Sequence, residues 1–181
     1  GRTAVAVSAG YDHTCAILDN GDLKCWGNDE YGQLGDGGTT HTSSTYTTSP
    51  SSTAINLGTG RTAVAVSAGH DHTCAILDNG DLKCWGWDWK GALGDGQSFT
   101  SPNAPPYAAI NLGMGRTAVA VAAGNHFTCA ILDNGDLKCW GRDDWGMLGD
   151  GGSNTATNAP SSTPINLRPG LTAVPVSSGY Y

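Results

Sequence analysis

One segment of about 27 residues recurs along the chain, and this repetition constrains the fold more than any other sequence feature. The copies occupy residues 1–27, 60–86 and 115–141, with a partial copy at residues 170–181. The second copy differs from the first by a single change, Tyr11 to His70. The third copy differs from the first at four positions, which are occupied by Ala122, Asn125, His126 and Phe127. We therefore divide the chain into repeat 1 (residues 1–59), repeat 2 (60–114), repeat 3 (115–169) and a partial repeat 4 (170–181).

The composition favours short strands over packed helices. The chain contains 27 glycines and many serines and threonines, and only 14% of its residues are charged. Each period contains four short runs of strand-forming residues between glycine-containing loops. For one period these runs are Ile55–Leu57, Thr62–Ser67, Thr73–Leu77 and Leu82–Trp85. We predict an all-β chain of tandem four-stranded antiparallel blades of the β-propeller type, about three repeats plus a partial fourth. A β-solenoid or a series of small sandwiches is the alternative.

The segment AGYDHTCAILDNGDLKCWGNDEYGQLGDG resembles the repeat of the regulator of chromosome condensation family. The matching positions are Gly10, His13, Gly21, Trp26, Gly27, Gly32, Gln33, Leu34, Gly35 and Gly37. The resemblance covers nearly the whole chain and implies a propeller. Propellers of this family close into rings of roughly seven blades. The resemblance therefore implies that this chain is a segment of a longer array or a protomer that self-associates.

The chain departs from the family pattern at several positions, and these departures put inherited function in doubt. The usual Asn after the aromatic-Gly pair is replaced by Asp29, Asp88 and Asp143. The usual Gln is replaced by Ala92 and Met147. The best-known activity of the family is guanine-nucleotide exchange on a chromatin-bound small GTPase. The cysteine spacing argues against the compartment in which that activity takes place, and the acidic charge argues against its chromatin-bound partner.

Six cysteines form three pairs, each ten residues apart around an Asp-Asn-Gly sequence. The pairs are Cys15/Cys25, Cys74/Cys84 and Cys129/Cys139. A three-residue loop sets Cys15 opposite Cys25 as a non-hydrogen-bonded pair, where a cross-strand disulfide fits. A two-residue Asn-Gly turn would instead set Cys15 opposite Trp26, and reduced buried thiols are a further alternative. Zinc is disfavoured, because no ligand pair has the close spacing of a metal knuckle. Three disulfides predict an oxidising compartment, and hence secretion or cell-surface display.

No constellation of residues predicts catalysis, and we expect a protein that is not an enzyme. A catalytic group is usually unique, whereas most polar residues here recur in every repeat. His13 and His72 become Phe127 in the third copy, which indicates a packing position. Aspartates flank each hairpin or lie in a GDG sequence, as is typical of turns. They are Asp19, Asp22, Asp78, Asp81, Asp133 and Asp136 at the hairpins, and Asp36, Asp95 and Asp150 in GDG. The hairpin aspartates leave calcium as an alternative; no other cofactor or metal is predicted.

The sequence after each CWG changes from repeat to repeat. These variable loops are residues 28–31, 87–90 and 142–145, and their aromatic residues are Tyr31, Trp87, Trp89 and Trp145. Exposed aromatic side chains favour contacts with sugars or proteins. The same four residues fit equally well as wedges between neighbouring blades. We predict either ligand binding or inter-blade contact for them.

Charge and hydropathy restrict the partners. Nine Lys+Arg against sixteen Asp+Glu give a net charge of −7, which disfavours nucleic acid and anionic lipid. No stretch approaches the roughly 20 apolar residues of a membrane-spanning helix. We predict an extracellular structural protein that self-assembles into a filament, tube or surface adhesin, because near-identical repeats leave adhesive ends. The alternative is a discrete propeller that binds a glycan or a protein. The Ser/Thr tract at residues 39–53 is a candidate for O-linked sugars, and Pro175 suits an edge strand.

Overall fold

The computed structural model describes residues 1–38, 46–106, 108–152 and 155–167. Its strands form three antiparallel sheets, one within each of the first three repeats. The first sheet contains β1 (Ala4–Ala9), β2 (His13–Leu18), β3 (Leu23–Asn28) and β4 (Tyr46–Thr47) in that order. The second contains β5 (Ala63–Ala68), β6 (His72–Leu77) and β7 (Leu82–Gly86), and the third contains β8 (Ala118–Ala123), β9 (Phe127–Leu132) and β10 (Leu137–Gly141). The partial repeat 4, Pro175 and residues 39–45 of the Ser/Thr tract lie outside the described residues.

The sheets are blades of a propeller, as the sequence predicts. The first two strands of each blade contact the first strand of the next blade, which is a fan arrangement about an axis. The Ser8 hydroxyl accepts a hydrogen bond from the backbone N–H of Ala68, at 2.9 Å. Ser67 and Ala123 repeat this bond one blade further on, also at 2.9 Å. Strands β1, β5 and β8 are therefore the inner strands.

The prediction of a strand at Ile55–Leu57 is wrong. Its backbone groups contact two different blades, so the segment adds no continuous strand to either. The N–H of Ile55 donates to the Leu23 carbonyl in the first blade. The Leu57 carbonyl accepts from Lys83 Nζ in the second blade, at 3.0 Å. The fourth position of the first blade is instead filled by β4, which pairs with the end of β3. Four strands are therefore present in the first blade, and three each in the described parts of the other two.

Most of the hydrophobic core lies between blades. One cluster joins Cys15, Leu23 and Leu34 of the first blade to Leu77 and Trp85 of the second. An equivalent cluster joins the second blade to Trp140 and its neighbours in the third. These two clusters bury apolar surface between neighbouring blades, as expected of a repeat protein. A third, smaller cluster lies within the third repeat. Trp85 and Trp140 are fully buried, whereas the equivalent Trp26 of the first blade is only partly buried.

The described part of the chain contains no helix that is long and apolar enough to cross a membrane.

Candidate functional site

The recurring polar residues connect the blades to each other. His13 Nε2 lies 2.8 Å from the Thr73 hydroxyl, which donates to the Gln33 carbonyl at 2.8 Å. Trp85 Nε1 donates to the same carbonyl at 3.1 Å. Because the Thr73 proton is engaged with Gln33, His13 Nε2 must be the donor to Thr73. Burial lowers the pKa of His13 to about 4, so the ring is neutral at physiological pH.

The next pair of blades repeats this chain of hydrogen bonds. His72 Nε2 lies 3.0 Å from the Thr128 hydroxyl, and both Thr128 and Trp140 donate to the Ala92 carbonyl. Phe127 occupies the equivalent position in the third blade, where it packs against a small cluster of Cys129, Cys139 and Leu148. These histidines therefore have a structural role between blades.

Two of the three disulfides lie in the cores between blades, and the third lies in a smaller cluster of third-repeat residues. The register pairs Cys15 with Cys25, Cys74 with Cys84 and Cys129 with Cys139. All three pairs are disulfide-bonded, with Cα atoms 4.0 to 4.1 Å apart. The three-residue loop sets this register: Leu18 N–H donates to the Asp22 carbonyl, and Gly21 has a φ of 80°. Glycine is needed here for a second reason, because a Cβ at this position would lie 2.5 Å from Thr62 of the next blade.

A buried aspartate organises the turn after each blade. Asp29, Asp88 and Asp143 each accept a hydrogen bond at 2.9 to 3.0 Å from the N–H five residues later. Asp88 is fully buried, and this burial raises its pKa to about 7. The negative charge of Asp95 adds to the increase, whereas hydrogen bonds from Leu93 and Thr100 oppose it. These recurring aspartates are structural residues.

The hairpin aspartates, for which calcium was the alternative, make turn contacts and ion pairs. Asp78 lies 3.3 Å from Arg61, and Asp133 lies 3.4 Å from Arg116. The N–H of Asp81 donates to the side chain of Asn79 within the turn. No hairpin aspartate belongs to the group of potential metal ligands found among the described residues.

Several of the non-repeating residues lie together at one end of the blades. In each blade the loop between the first two strands and the loop after the third strand are at the same end, because the strands are antiparallel. Six rings from these loops pack across all three blades, and we call this set the aromatic ridge. It consists of Tyr11, Tyr31, His70, Trp87, Trp89 and His126.

The ridge is assembled from contacts between successive blades. Tyr11 stacks on His70 with ring centroids 4.3 Å apart, and Tyr31 stacks on Trp87 at 4.5 Å. His126 of the third blade contacts the edges of Trp87 and Trp89 at 5.2 and 4.9 Å. Tyr11 is 55% exposed, so the ridge is accessible at its outer end. Of the four aromatic residues singled out in the sequence, three therefore lie in the ridge.

The fourth of these residues, Trp145, is 82% exposed. It is equivalent to Tyr31, which stacks on the next blade, and to Lys90, whose Nζ lies 2.6 Å from Asp144 of the next blade. This position therefore reaches toward the following blade. Trp145 occupies it in the last described blade.

Two histidines and an aspartate meet within the ridge. His70 Nδ1 lies 2.6 Å from Asp71 Oδ2, and His126 Nε2 lies 4.0 Å from the same oxygen. Burial raises the pKa of Asp71, and the charges of Asp12 and Glu30 add to this increase against the hydrogen bond from His70. Burial lowers the pKa of His126 to about 4, with smaller contributions from His70 and Arg142. Sequence reasoning missed this cluster, although His70 and His126 were both visible as departures from the repeat.

Grooves along the outer edges of the blades say less about function than the aromatic ridge does. One, of about 490 Å³, is lined by Cys84, Leu93, Gly94 and Ile110. Another, of about 270 Å³, is lined by the equivalent residues Cys25, Leu34 and Ile55 of the first blade. Because the grooves recur with the repeat, they are products of blade geometry. The ridge is the feature that distinguishes one blade from another.

The fold and the stacked blades define a β-propeller segment. The Regulator of chromosome condensation (RCC1) repeat matches residues 4–33, 63–91 and 118–144, and a second pattern of the same name matches residues 20–76. The chain belongs to this repeat family.

Known proteins of the family are similar over most of the chain. The Ultraviolet-B receptor UVR8 of Arabidopsis thaliana is 34% identical over 152 residues, which are 83% of this chain and 32% of the receptor. The human E3 ubiquitin-protein ligase HERC2 is 32% identical over 156 residues, which are 84% of this chain and 3% of the ligase. The crystal structure of Prp20p from Saccharomyces cerevisiae superimposes with a TM-score of 0.84 at 21% identity, over 98% of this chain and 42% of Prp20p. The chain thus spans about a third of UVR8 and less than half of Prp20p.

Proposed function

We propose that the chain is a non-enzymatic, protein-binding propeller segment that works in an oxidising compartment, outside the cell or at its surface. The observation that carries the proposal is the aromatic ridge. It is built from residues that differ between otherwise near-identical repeats, so it is specific to one place on the array. Half-buried aromatic rings with a charged rim have the composition of protein-binding surfaces.

Charged groups border the ridge on two sides. Asp12 and Glu30 lie near Asp71 at one end. Lys90 and Arg142 lie over the Trp89 ring at the other, 5.1 and 5.5 Å from its centroid. Asp144 forms ion pairs with both cations, at 2.6 and 2.7 Å, and these hold the two side chains in place before any protein ligand binds. The rim thus offers both signs of charge, which suits oriented docking of a polypeptide.

The family comparison supports protein binding over a filament. Prp20p has binding properties to Gsp1p and histones, so a protein of this fold acts there in protein binding. Gsp1p and histones themselves are not proposed as partners here. The three disulfides support an oxidising compartment.

Binding arrays test this proposal. The disulfide-bonded chain is labelled and applied to an array of secreted proteins and to a glycan array, together with the variants Trp89→Ala and Met114→Ala. Met114 is 99% exposed and precedes β8 at the opposite end of the blade, so its variant is the matched control. We expect a protein ligand whose affinity falls at least tenfold in Trp89→Ala and stays unchanged in Met114→Ala. Selective glycan binding alone, or protein binding that Trp89→Ala leaves intact, would contradict it.

Self-association is a second candidate, which the end face of the first blade favours. Thr14 and Trp26 are only partly buried there, although the equivalent Thr73 and Trp85 are fully buried by the preceding blade. Such a face can accept another blade, from the same longer array or from a second copy. Sedimentation velocity over a hundredfold range of concentration tests it. A concentration-dependent increase in size that Trp26→Lys abolishes supports self-association, and a constant monomer refutes it.

A further inference from the structure

We propose that His70, Asp71 and His126 form a binding site for a divalent transition-metal ion of the zinc class, which clamps the second blade to the third. His70 and Asp71 come from the loop between β5 and β6, and His126 comes from the loop between β8 and β9. One potential ligand atom from each residue lies within 4.8 Å of the other two. The site shares His70 and His126 with the aromatic ridge, but metal binding can be tested without a protein ligand.

The donor set determines the class of ion. Two imidazole nitrogens and one carboxylate oxygen are ligands that zinc binds with three protein groups and an open fourth position. Imidazole also suits Cu(II), Ni(II) and Co(II), whereas calcium and magnesium prefer all-oxygen sites. Ligand distances of about 2.0 to 2.2 Å in a tetrahedral site place donor atoms roughly 3.4 Å apart. The three atoms now lie within 4.8 Å of one another, so this spacing requires side-chain shifts of about 1 Å.

His126 is the residue whose placement calls for a ligand. Its side chain is only 8% exposed, and Nδ1 makes no hydrogen bond to the described residues. Nε2 lies 4.0 Å from Asp71, which is too far for a hydrogen bond. Buried polar groups are nearly always satisfied, and a bound ion is one of the few explanations for an exception. The Nδ1 atoms of His13 and His72 also lack a hydrogen bond to the described residues, but their Nε2 atoms are bonded to threonines, which leaves His126 as the one of the three with neither nitrogen bonded.

The repeat makes the site unique within the array. The positions of His70 and His126 are occupied in the first blade by Tyr11 and Asp12. Only the junction of the second and third blades combines two imidazoles with a carboxylate in the described part of the chain. A metal here would join the second and third blades directly, while His70 also keeps its stacking contact with Tyr11 of the first blade.

Cobalt(II) and zinc(II) titrations of the intact, oxidised chain test the site. All proteins carry His41→Gln, which removes a histidine outside the described residues. We expect one equivalent of Co(II) to bind, with visible absorption typical of nitrogen and oxygen ligands, and Zn(II) to displace it. Zn(II) should also raise the thermal midpoint, since it binds only the folded chain, and EDTA should reverse the increase.

Substitutions identify the ligands. His70→Tyr restores the residue of the first repeat, and His126→Asn keeps a side chain that tolerates the positive φ of 62°. We expect each to weaken Zn(II) binding at least tenfold, and Asp12→Asn, the control, to change it less than threefold. Circular dichroism checks that each variant is folded. Absence of saturable binding by the parent chain overturns the proposal, as does equal binding by parent and His126→Asn.

Discussion

Replacement of Asp88 by asparagine is expected to stabilise the chain, by an amount that grows with pH. Asp88 is fully buried, and burial raises its pKa from 3.8 to about 7. Between these two values the folded chain keeps a proton that the unfolded chain has lost, so stability falls as the pH rises. Each pH unit is equivalent to about 1.4 kcal/mol, so a difference of about three units amounts to about 4 kcal/mol.

Asparagine removes the ionisation and keeps the structural hydrogen bond. Its side-chain oxygen can accept from the Leu93 N–H, as Asp88 Oδ1 does at 2.9 Å. Its amide can donate to the Thr100 hydroxyl, which lies 3.4 Å from Asp88 Oδ2. We expect Asp88→Asn to match the parent chain near pH 4 and to be more stable by about 4 kcal/mol above pH 7.

Urea unfolding of the oxidised proteins, followed by tryptophan fluorescence at pH 4, 5, 6, 7 and 8, measures this difference. Asp95→Asn provides the matched variant, because the Asp95 charge contributes to the high pKa of Asp88. It should reduce the pH dependence only in part. A difference between parent and Asp88→Asn that stays constant with pH would refute the reasoning.

Three further predictions concern the contacts within and between blades. Replacing Cys74 and Cys84 together by alanine should lower the free energy of unfolding by about 3 kcal/mol in urea titrations, because the disulfide no longer restricts the unfolded chain. An unchanged urea midpoint would contradict this prediction. His13→Phe should reduce the loss of stability between pH 6.5 and 4 by about 3 kcal/mol, because burial disfavours protonation of His13 in the folded chain. Part of the loss should remain, because burial also lowers the pKa values of His72 and His126. Identical acid titrations of parent and variant would show that His13 does not contribute. Lys83→Met should lower the free energy of unfolding by about 1 to 3 kcal/mol, since it leaves the Leu57 carbonyl without its donor. Hydrogen exchange at residues 55–58 should then be faster than at the equivalent residues 110–113, where Lys138 keeps its bond to Leu112.

Local pattern was sufficient to predict the three main strands of each blade, but it left two loop lengths open for the hairpin. The Asp-Asn-Gly loop determines the hairpin register, and the register in turn sets Cys15 opposite Cys25. The error at Ile55–Leu57 has a physical cause: alternating apolar residues report burial, and Ile55 and Leu57 are buried. They are buried as a connection between blades, where side-chain and backbone contacts to two neighbours replace regular strand pairing.

The candidate sites were harder to predict, because they depend on contacts between blades. His70 and His126 are 56 residues apart and lie at different positions of the repeat, so no motif contains both. Alignment of the repeats does identify them as exceptions. The sequence alone does not show how adjacent blades are offset. This offset brings Tyr31 of the first blade into contact with Trp87 of the second.

The inter-blade contacts have a consequence for how such a chain can change in evolution. The bonds between the first and second blades and those between the second and third join equivalent residues. Each disulfide closes within its own blade. Duplication or deletion of a whole repeat by recombination would therefore recreate a matched junction and leave no cysteine without its partner. The number of blades can change in a lineage while the junction chemistry stays the same, and the residues that differ between repeats, those of the ridge among them, would record where the exchange occurred.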